Sequence, residues 1–261
     1  MSTRARQHVA EVRGREQLSE HLVRLTLGGP GLADFASTGV PDEWVGLIVP
    51  GQFQSRYYTV RSWAGGELVL DVVVHDVGLV TEWAARDVVG ETVTVTDPRG
   101  SFAMPDDAAW LLLVGDLTAL PAMARTVEHL AGGDVAVKVW AEVPDELPAY
   151  LPPGTDVTWL APPDDAPSAL AGVVEGLDWP AGEGYFWMAG ESAQMRAIRK
   201  HLMRERHLPP TAYDVMGYWR GNAHRQPRAV DPGPIWRAGK SAGKPDDQIW
   251  ADFDAAREEH P

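Results

Sequence analysis

The sequence predicts an antiparallel β-barrel followed by a parallel-sheet α/β layer, and three observations predict it. Up to about residue 104, short segments rich in β-branched and aromatic residues are bounded by Gly, Pro or Asp. From Trp110 onward, continuous apolar runs alternate with stretches that carry apolar residues at helical spacing. The composition, 44% hydrophobic and 23% charged over 261 residues, is that of a soluble globular protein with ample length for a core.

In the first half, "HLVRLTLGG" alternates, with Leu22, Arg24 and Thr26 facing one way and Val23, Leu25 and Leu27 the other. The strand-like segments "WVGLIVP", "SRYYTVRSW", "ELVLDVVVHD" and "ETVTVTDPRG" follow, with one helical interruption, "GLVTEWAARDVV", over 78–89. In the second half "WLLLVGD", "DVAVKVWAEV", "DVTWLAP", "GYFWMAGE" and "YDVMGYWR" read as strands. "TALPAMARTVEHL", "SALAGVVEGL" and "SAQMRAIRKHLMRE" read as the helices between them. Residues 223–245 read as loop, and a last helix starts near Asp246, with Pro and acids in its first turn. The expected boundaries are a barrel over 1–105, an α/β domain over 106–222 and a carboxyl-terminal loop and helix over 223–261.

Cysteine is absent, which excludes disulfides, thiolate metal sites and a Cys nucleophile. There is no apolar run long enough for a transmembrane helix and no secretory h-region, so a cytoplasmic chain is expected. The net charge of −14 argues against nucleic acid as a partner. The charge is uneven: residues 200–244 carry nine Lys or Arg against three acids, a basic island of +6 that suits a small anionic ligand.

Parallel α/β sheets bind ligands beyond the carboxyl ends of their strands. Three strand ends stand out: Gly115, Asp116 and Thr118 in "VGDLTALP"; Glu142 in "WAEVPDE"; and Glu191 with Ser192 in "WMAGESAQ". Glu142, with no Lys or Arg nearby, suits a ribose diol better than a 2′-phosphate. No G-x-G-x-x-G follows any strand, so the usual Rossmann mode of holding a dinucleotide is not indicated.

The segment "RYYTVR" adds what the sheet lacks. On a strand Arg56, Tyr58 and Val60 share one face and Tyr57, Thr59 and Arg61 the other. A guanidinium holds a pyrophosphate through two parallel charge-assisted bonds, a tyrosine offers a flat ring for stacking, and a threonine hydroxyl donates to a ring nitrogen. The helix opening near Gly78 presents main-chain amides to the same pyrophosphate.

With these motifs in order, the chain resembles the siderophore-interacting protein family, FAD-dependent ferric-siderophore reductases of the ferredoxin-reductase superfamily. "RYYTVR" resembles R-x-Y-T-x-R, "GDLTALPAM" resembles G-D-E-T-A-L-P-A, "YFWMAGES" resembles a strand ending in A-G-E, and "GYWRGN" resembles G-Y-W-R-x-G. "VVVHDVGLVTEWA" and "GKPDDQIWADFDAA" also have counterparts, so the likeness runs nearly full length. Two departures stand out: Leu117 replaces the family's usual Glu, and Asp76 with Leu79-Val80 replaces a Gly and a Pro-Ala. A carboxylate at position 76 repels a pyrophosphate unless it points away.

The resemblance implies an FAD-binding barrel, a nicotinamide-binding α/β domain and a shallow substrate pocket between them. It places Arg56 on the pyrophosphate, Tyr58, Thr59, Val60 and Arg61 around the flavin, and His75, Gly78, Val80 and Thr81 along the FAD chain. Asp116, Thr118, Ala119 and Glu191 face the nicotinamide, and Tyr218, Trp219 and Arg220 close over the flavin. Arg220, Arg225, Arg228, Arg237, Lys240 and Lys244 are the candidate cations for an anionic ferric siderophore.

The implied reaction runs from NADH or NADPH through FAD to Fe(III), with NADH weakly favoured. Nicotinamide gives a hydride whereas Fe(III) takes one electron, so a flavin between them splits the pair. Fe(II) binds the hard oxygen donors of a siderophore more weakly and leaves. No acid–base residue and no resident metal is called for. The alternatives are a ferredoxin-dependent reductase, a general flavin reductase, and a non-catalytic flavin or siderophore carrier. A monomer is expected.

Overall fold

The computed structural model describes residues 6–52, 54–75 and 78–221, together with positions 238, 242 and 244. Six strands close an antiparallel barrel: β1 (Gln7–Ser19), β2 (Leu22–Gly28), β3 (Trp44–Ile48), β4 (Arg56–Ala64), β5 (Glu67–Val73) and β6 (Thr92–Thr96), in the order β1-β2-β5-β4-β3-β6. β1 was not expected from the sequence. Its inward positions are His8, Ala10 and Val12, a set too short and too polar to read as an apolar stripe. The barrel interior is filled by Val12, Leu25, Val45, Leu47, Val60 and Leu70, among others.

The helical interruption is shorter than predicted: α1 covers Leu79–Ala84. Its carboxyl end is held by Arg15, whose Nε donates to Ala84 O at 2.8 Å. A cation there satisfies carbonyls that lack a helical partner.

The second half follows the predicted alternation. β7 (Trp110–Asp116), α2 (Leu120–His129), β8 (Ala136–Glu142), β9 (Asp156–Leu160), α3 (Leu170–Glu175), β10 (Gly184–Glu191), α4 (Ser192–Arg204) and β11 (Tyr213–Trp219) build a five-stranded sheet, ordered β11-β10-β7-β8-β9. All its strand pairs are parallel. β7 and β10 are buried along their whole length, the reason their sequences are continuous apolar runs.

One sheet face packs α2 through Leu111, Leu113, Tyr185 and Trp187, with Leu22 of the barrel in the same cluster. The other packs α3 and α4 through Leu112, Val114, Phe186 and Met188. Strand order reverses between β7 and β10, so the switch point where α/β sheets bind ligands lies at their carboxyl ends.

Barrel and sheet form one compact unit, Met1–Pro50 with Arg56–Gly221, and the junction expected at 105/106 lies inside it. Gly51–Ser55 and Asn222–Pro261 make a second unit. The helix expected from Asp246 lies outside the described residues. Among the described residues no helix is long and apolar enough to cross a membrane.

Candidate functional site

β4 carries the first part of the site. Arg56 and Tyr57 are exposed, Tyr57 to 70%, whereas Tyr58 is half-buried and packs on the barrel core. Thr59 is 5% exposed. Val60 and Arg61 follow on the same strand. Val60 is wholly buried in the barrel core, and the β4–β5 register shifts between Val60 and Ser62. A bulge re-aims the side chain at the irregularity, and Arg61 forms a two-bonded pair with Glu128 of α2 at 2.8 and 2.5 Å.

Thr81 of α1 is tied back to His75. The Thr81 hydroxyl accepts from His75 N at 2.7 Å and donates to His75 O at 3.0 Å. Its hydroxyl is therefore engaged with the main chain. The Val80 side chain points into the barrel core, leaving only its main chain for a ligand. Gly78, at φ 143°, occupies backbone space that disfavours any side chain. His75 is exposed, and Asp76 lies outside the described residues.

At the sheet's switch point three carboxylates crown adjacent strands, and each is held by local donors. Asp116, 6% exposed, accepts from Thr118 N at 2.9 Å and from the Thr118 hydroxyl at 2.5 Å on one oxygen. Its other oxygen accepts from Trp219 Nε1 at 2.6 Å. Burial raises its pKa, opposed by those donors. Asp116 lies over Gly190, where a Cβ would stand 2.5 Å from the carboxylate. Trp219 of β11 thus reaches β7 across a strand that carries no side chain at that point.

Glu191 accepts from Ala193 N at 2.6 Å, Gln194 N at 3.1 Å and Gly221 N at 3.2 Å, capping α4. Glu142, expected to face a ribose diol, is 3% exposed and accepts from Ala169 N at 2.8 Å, with its pKa raised by burial. It anchors the turn before α3. Ala119 is fully buried and Leu117 is 7% exposed, both within the apolar cluster under α2. The leucine in place of the family's glutamate is therefore a core residue.

Tyr218 joins the two halves. Burial raises its phenol pKa, and Asp42 adds to the shift. Its hydroxyl is buried beside Thr59 without a partner at hydrogen-bond geometry among the described residues. Arg220 is exposed at the end of β11. Arg225, Arg228, Arg237 and Lys240 lie outside the described residues, and Lys244 belongs to the second unit. A groove of about 700 Å³ between Ser101, Tyr185, Tyr213 and Asp214 lies at the opposite, amino ends of β10 and β11.

Sequence reasoning missed the seam between barrel and sheet. Asp42, fully buried, accepts from Ser101 N, the Ser101 hydroxyl, Phe102 N and Trp187 Nε1. Glu43, also fully buried, accepts from Ser37, Thr38 and Arg125. Asp71 takes both Arg24 nitrogens at 2.8 Å and the Tyr150 hydroxyl. Arg61 lies 5.4 Å from the centre of the Tyr150 ring. The only sequence signal is a pair of acids, Asp42-Glu43, immediately before an aromatic strand, which reads equally well as a turn.

Residues 108–222 match the siderophore-interacting protein family, and residues 51–102 match the siderophore-interacting FAD-binding domain. A siderophore utilization protein from T. fusca superposes with a TM-score of 0.73 at 31% identity, covering 84% of this chain and 94% of that one. The ferric vibriobactin reductase of Vibrio cholerae is 30% identical over 238 residues, 79% of this chain and 86% of its own. The NADPH-dependent ferric-chelate reductase of Escherichia coli is 28% identical over 231 residues, 78% of this chain and 89% of its own.

Proposed function

The chain belongs to the siderophore-interacting protein family, and from that premise we propose that it is an FAD-dependent reductase that passes electrons from a reduced nicotinamide nucleotide to ferric siderophores and releases Fe(II). The observation that carries the reading is the meeting of two surfaces in one compact unit. The Tyr58–Thr59 stretch of β4 and the Asp116–Trp219 crest of the sheet are bridged by Tyr218.

The residues present fit a flavin. Tyr58 offers a ring backed by the barrel core, Arg56 an exposed guanidinium two residues earlier, and Tyr218 a buried hydroxyl beside Thr59 with no partner at hydrogen-bond geometry among the described residues. FAD supplies the conversion of a two-electron donor into single electrons. Arg56 would pair with its pyrophosphate, and His75, Gly78 and the main chain of Val80 and Thr81 would line its phosphate chain. Tyr58 and Thr59 orient the isoalloxazine, with Tyr218 and Trp219 covering it from β11. Thr118, the Ala119 main chain and the Asp116–Glu191 rim receive the nicotinamide. Arg220, exposed at the end of β11, is the described cation that would attract the anionic chelate. No side chain has to act as an acid or base.

NADH is the preferred donor. The 140–147 segment at the end of β8 carries Glu142, Asp145 and Glu146 and no cation, an environment that repels a 2′-phosphate. Anaerobic visible spectroscopy tests both levels. The purified yellow protein should bleach with NADH, more slowly with NADPH, and recolour on adding a ferric siderophore while a chelator traps Fe(II). Protein that stays colourless with micromolar FAD overturns the flavin assignment; bound flavin that neither nucleotide bleaches overturns the reductase assignment.

A further inference from the structure

Resting on the reductase reading, one cluster does more than hold the halves together. Helix α2 starts at the switch point, directly after Thr118 and Ala119, and its later residues grip the flavin strand β4. Arg125 Nη1 donates to Val60 O at 2.7 Å while Nη2 donates to Glu43 Oε1 at 2.9 Å. Val60 N in turn donates to Glu43 O at 2.9 Å, so Val60 is clamped through both its main-chain groups.

The need for the clamp is local. Pairing of β3 with β4 reaches only as far as Trp44 opposite Thr59. Beyond that point β3 offers the Val60 carbonyl no ladder partner, and a buried carbonyl left without a donor is destabilising. One helical turn on, Glu128 takes Arg61, the next residue of β4. Residues three apart lie on one helix face, so α2 holds consecutive residues of β4 with one side. Glu43 stays charged within the clamp. Burial pushes its pKa up, but hydrogen bonds from Ser37 and Thr38 and the Arg125 charge outweigh this and hold it below the usual value.

We propose that Arg125 is a positioning residue that fixes the distance between nicotinamide and flavin, by joining the helix whose amino end faces one to the strand that carries the other. Six residues of helix, about 9 Å, separate Ala119 from Arg125. A displacement of β4 at Val60 moves the neighbouring Thr59 and Tyr58 against that helix. Hydride transfer is sensitive to such shifts, since a misplacement of about 1 Å costs on the order of a hundredfold in rate.

The test compares wild type with Arg125→Met, which keeps an unbranched chain of similar bulk, and Arg125→Lys, which keeps the charge but cannot reach both acceptors as a fork. Affinity of the apoprotein for FAD, by fluorescence titration, should change by less than about threefold. The limiting rate of anaerobic flavin bleaching at saturating NADH, per bound flavin, should fall at least about tenfold in Arg125→Met and by less in Arg125→Lys. The isotope effect with 4-deuterated NADH should rise in both variants as hydride transfer becomes slower than every other step. Lost thermal stability with an unchanged per-flavin rate and isotope effect in Arg125→Lys means the arginine is structural only, and overturns the proposal. Wild-type flavoprotein that no nicotinamide bleaches overturns the reductase reading and this proposal together, whereas normal bleaching in wild type and both variants overturns this proposal alone.

Discussion

Carboxylates do opposite jobs in two regions of this molecule. On the crest of the sheet, Glu191 and Glu142 accept main-chain amides and Asp116 accepts Thr118, mostly within a few residues or one connection of their own strand. At the seam, Asp42 reaches Trp187, Glu43 reaches Arg125 and Asp71 reaches Tyr150, donors 145, 82 and 79 residues away in the other half of the molecule. Crest acids shape local turns where a ligand is expected to sit. Seam acids decide how barrel and sheet meet. A carboxylate near its own helix start pre-organises a short loop, whereas one that bridges layers is stable only with its partners in place.

The largest effect should follow removal of the seam hub. Asp42→Ala leaves the Ser101 and Phe102 amides and the Trp187 indole without their acceptor, and should lower unfolding free energy by about 3–5 kcal/mol in urea titrations. An Asp42→Ala protein as stable as wild type would show that these donors find water instead.

Glu43→Gln should cost less, about 2–4 kcal/mol at neutral pH, because the amide keeps its volume but leaves the Arg125 charge unpaired. Its pH dependence sharpens the contrast. The folded pKa of Glu43 lies below the ordinary 4.5, so its stabilisation is present above that value and fades as pH falls through the folded pKa. Asp116 has the opposite sign. Its pKa is raised above 3.8, so its contribution is full below that value and is lost as pH rises through the folded pKa. The stability gap between wild type and Glu43→Gln should therefore widen with rising pH, and that between wild type and Asp116→Asn should narrow. Parallel slopes would erase the distinction between seam and crest.

The smallest effect belongs to the crest cap. Glu191→Ala removes the acceptor of the first α4 amides and should cost about 1 kcal/mol, measured as a shift in Tm.

Much of the fold was legible because its signals are local. "WLLLVGD" reads as a strand covered on both faces, and residues 110–116 form one. Alternation found β2, and β-branched and aromatic runs between turn residues found β3 through β6, but β1 escaped because its inward positions are His8, Ala10 and Val12. The predicted helix over 78–89 shortened to six residues, and its last carbonyl accepts from Arg15 of β1, a contact no local signal announces. Motif order singled out Arg56, Tyr58, Thr59, Asp116 and Trp219 from the sequence, and the structure adds the Trp219–Asp116 bond. At Val60 and Arg61 alternation alone was silent on two features: the register shift between Val60 and Ser62, and the pairing of Arg61 with Glu128 of α2.

The amino-acid sequence by itself determined most of the strands and helices, β1 excepted, since periodicity and turn chemistry act over a few residues. It also determined that a tyrosine and a threonine stand next to an arginine on one strand. Only the tertiary structure decided that Arg125 serves the Val60 carbonyl, that Trp219 crosses Gly190 to reach Asp116, and that Asp42 lies under Trp187. Those contacts join groups tens of residues apart, and their energies depend on burial and geometry that exist only once barrel and sheet have packed.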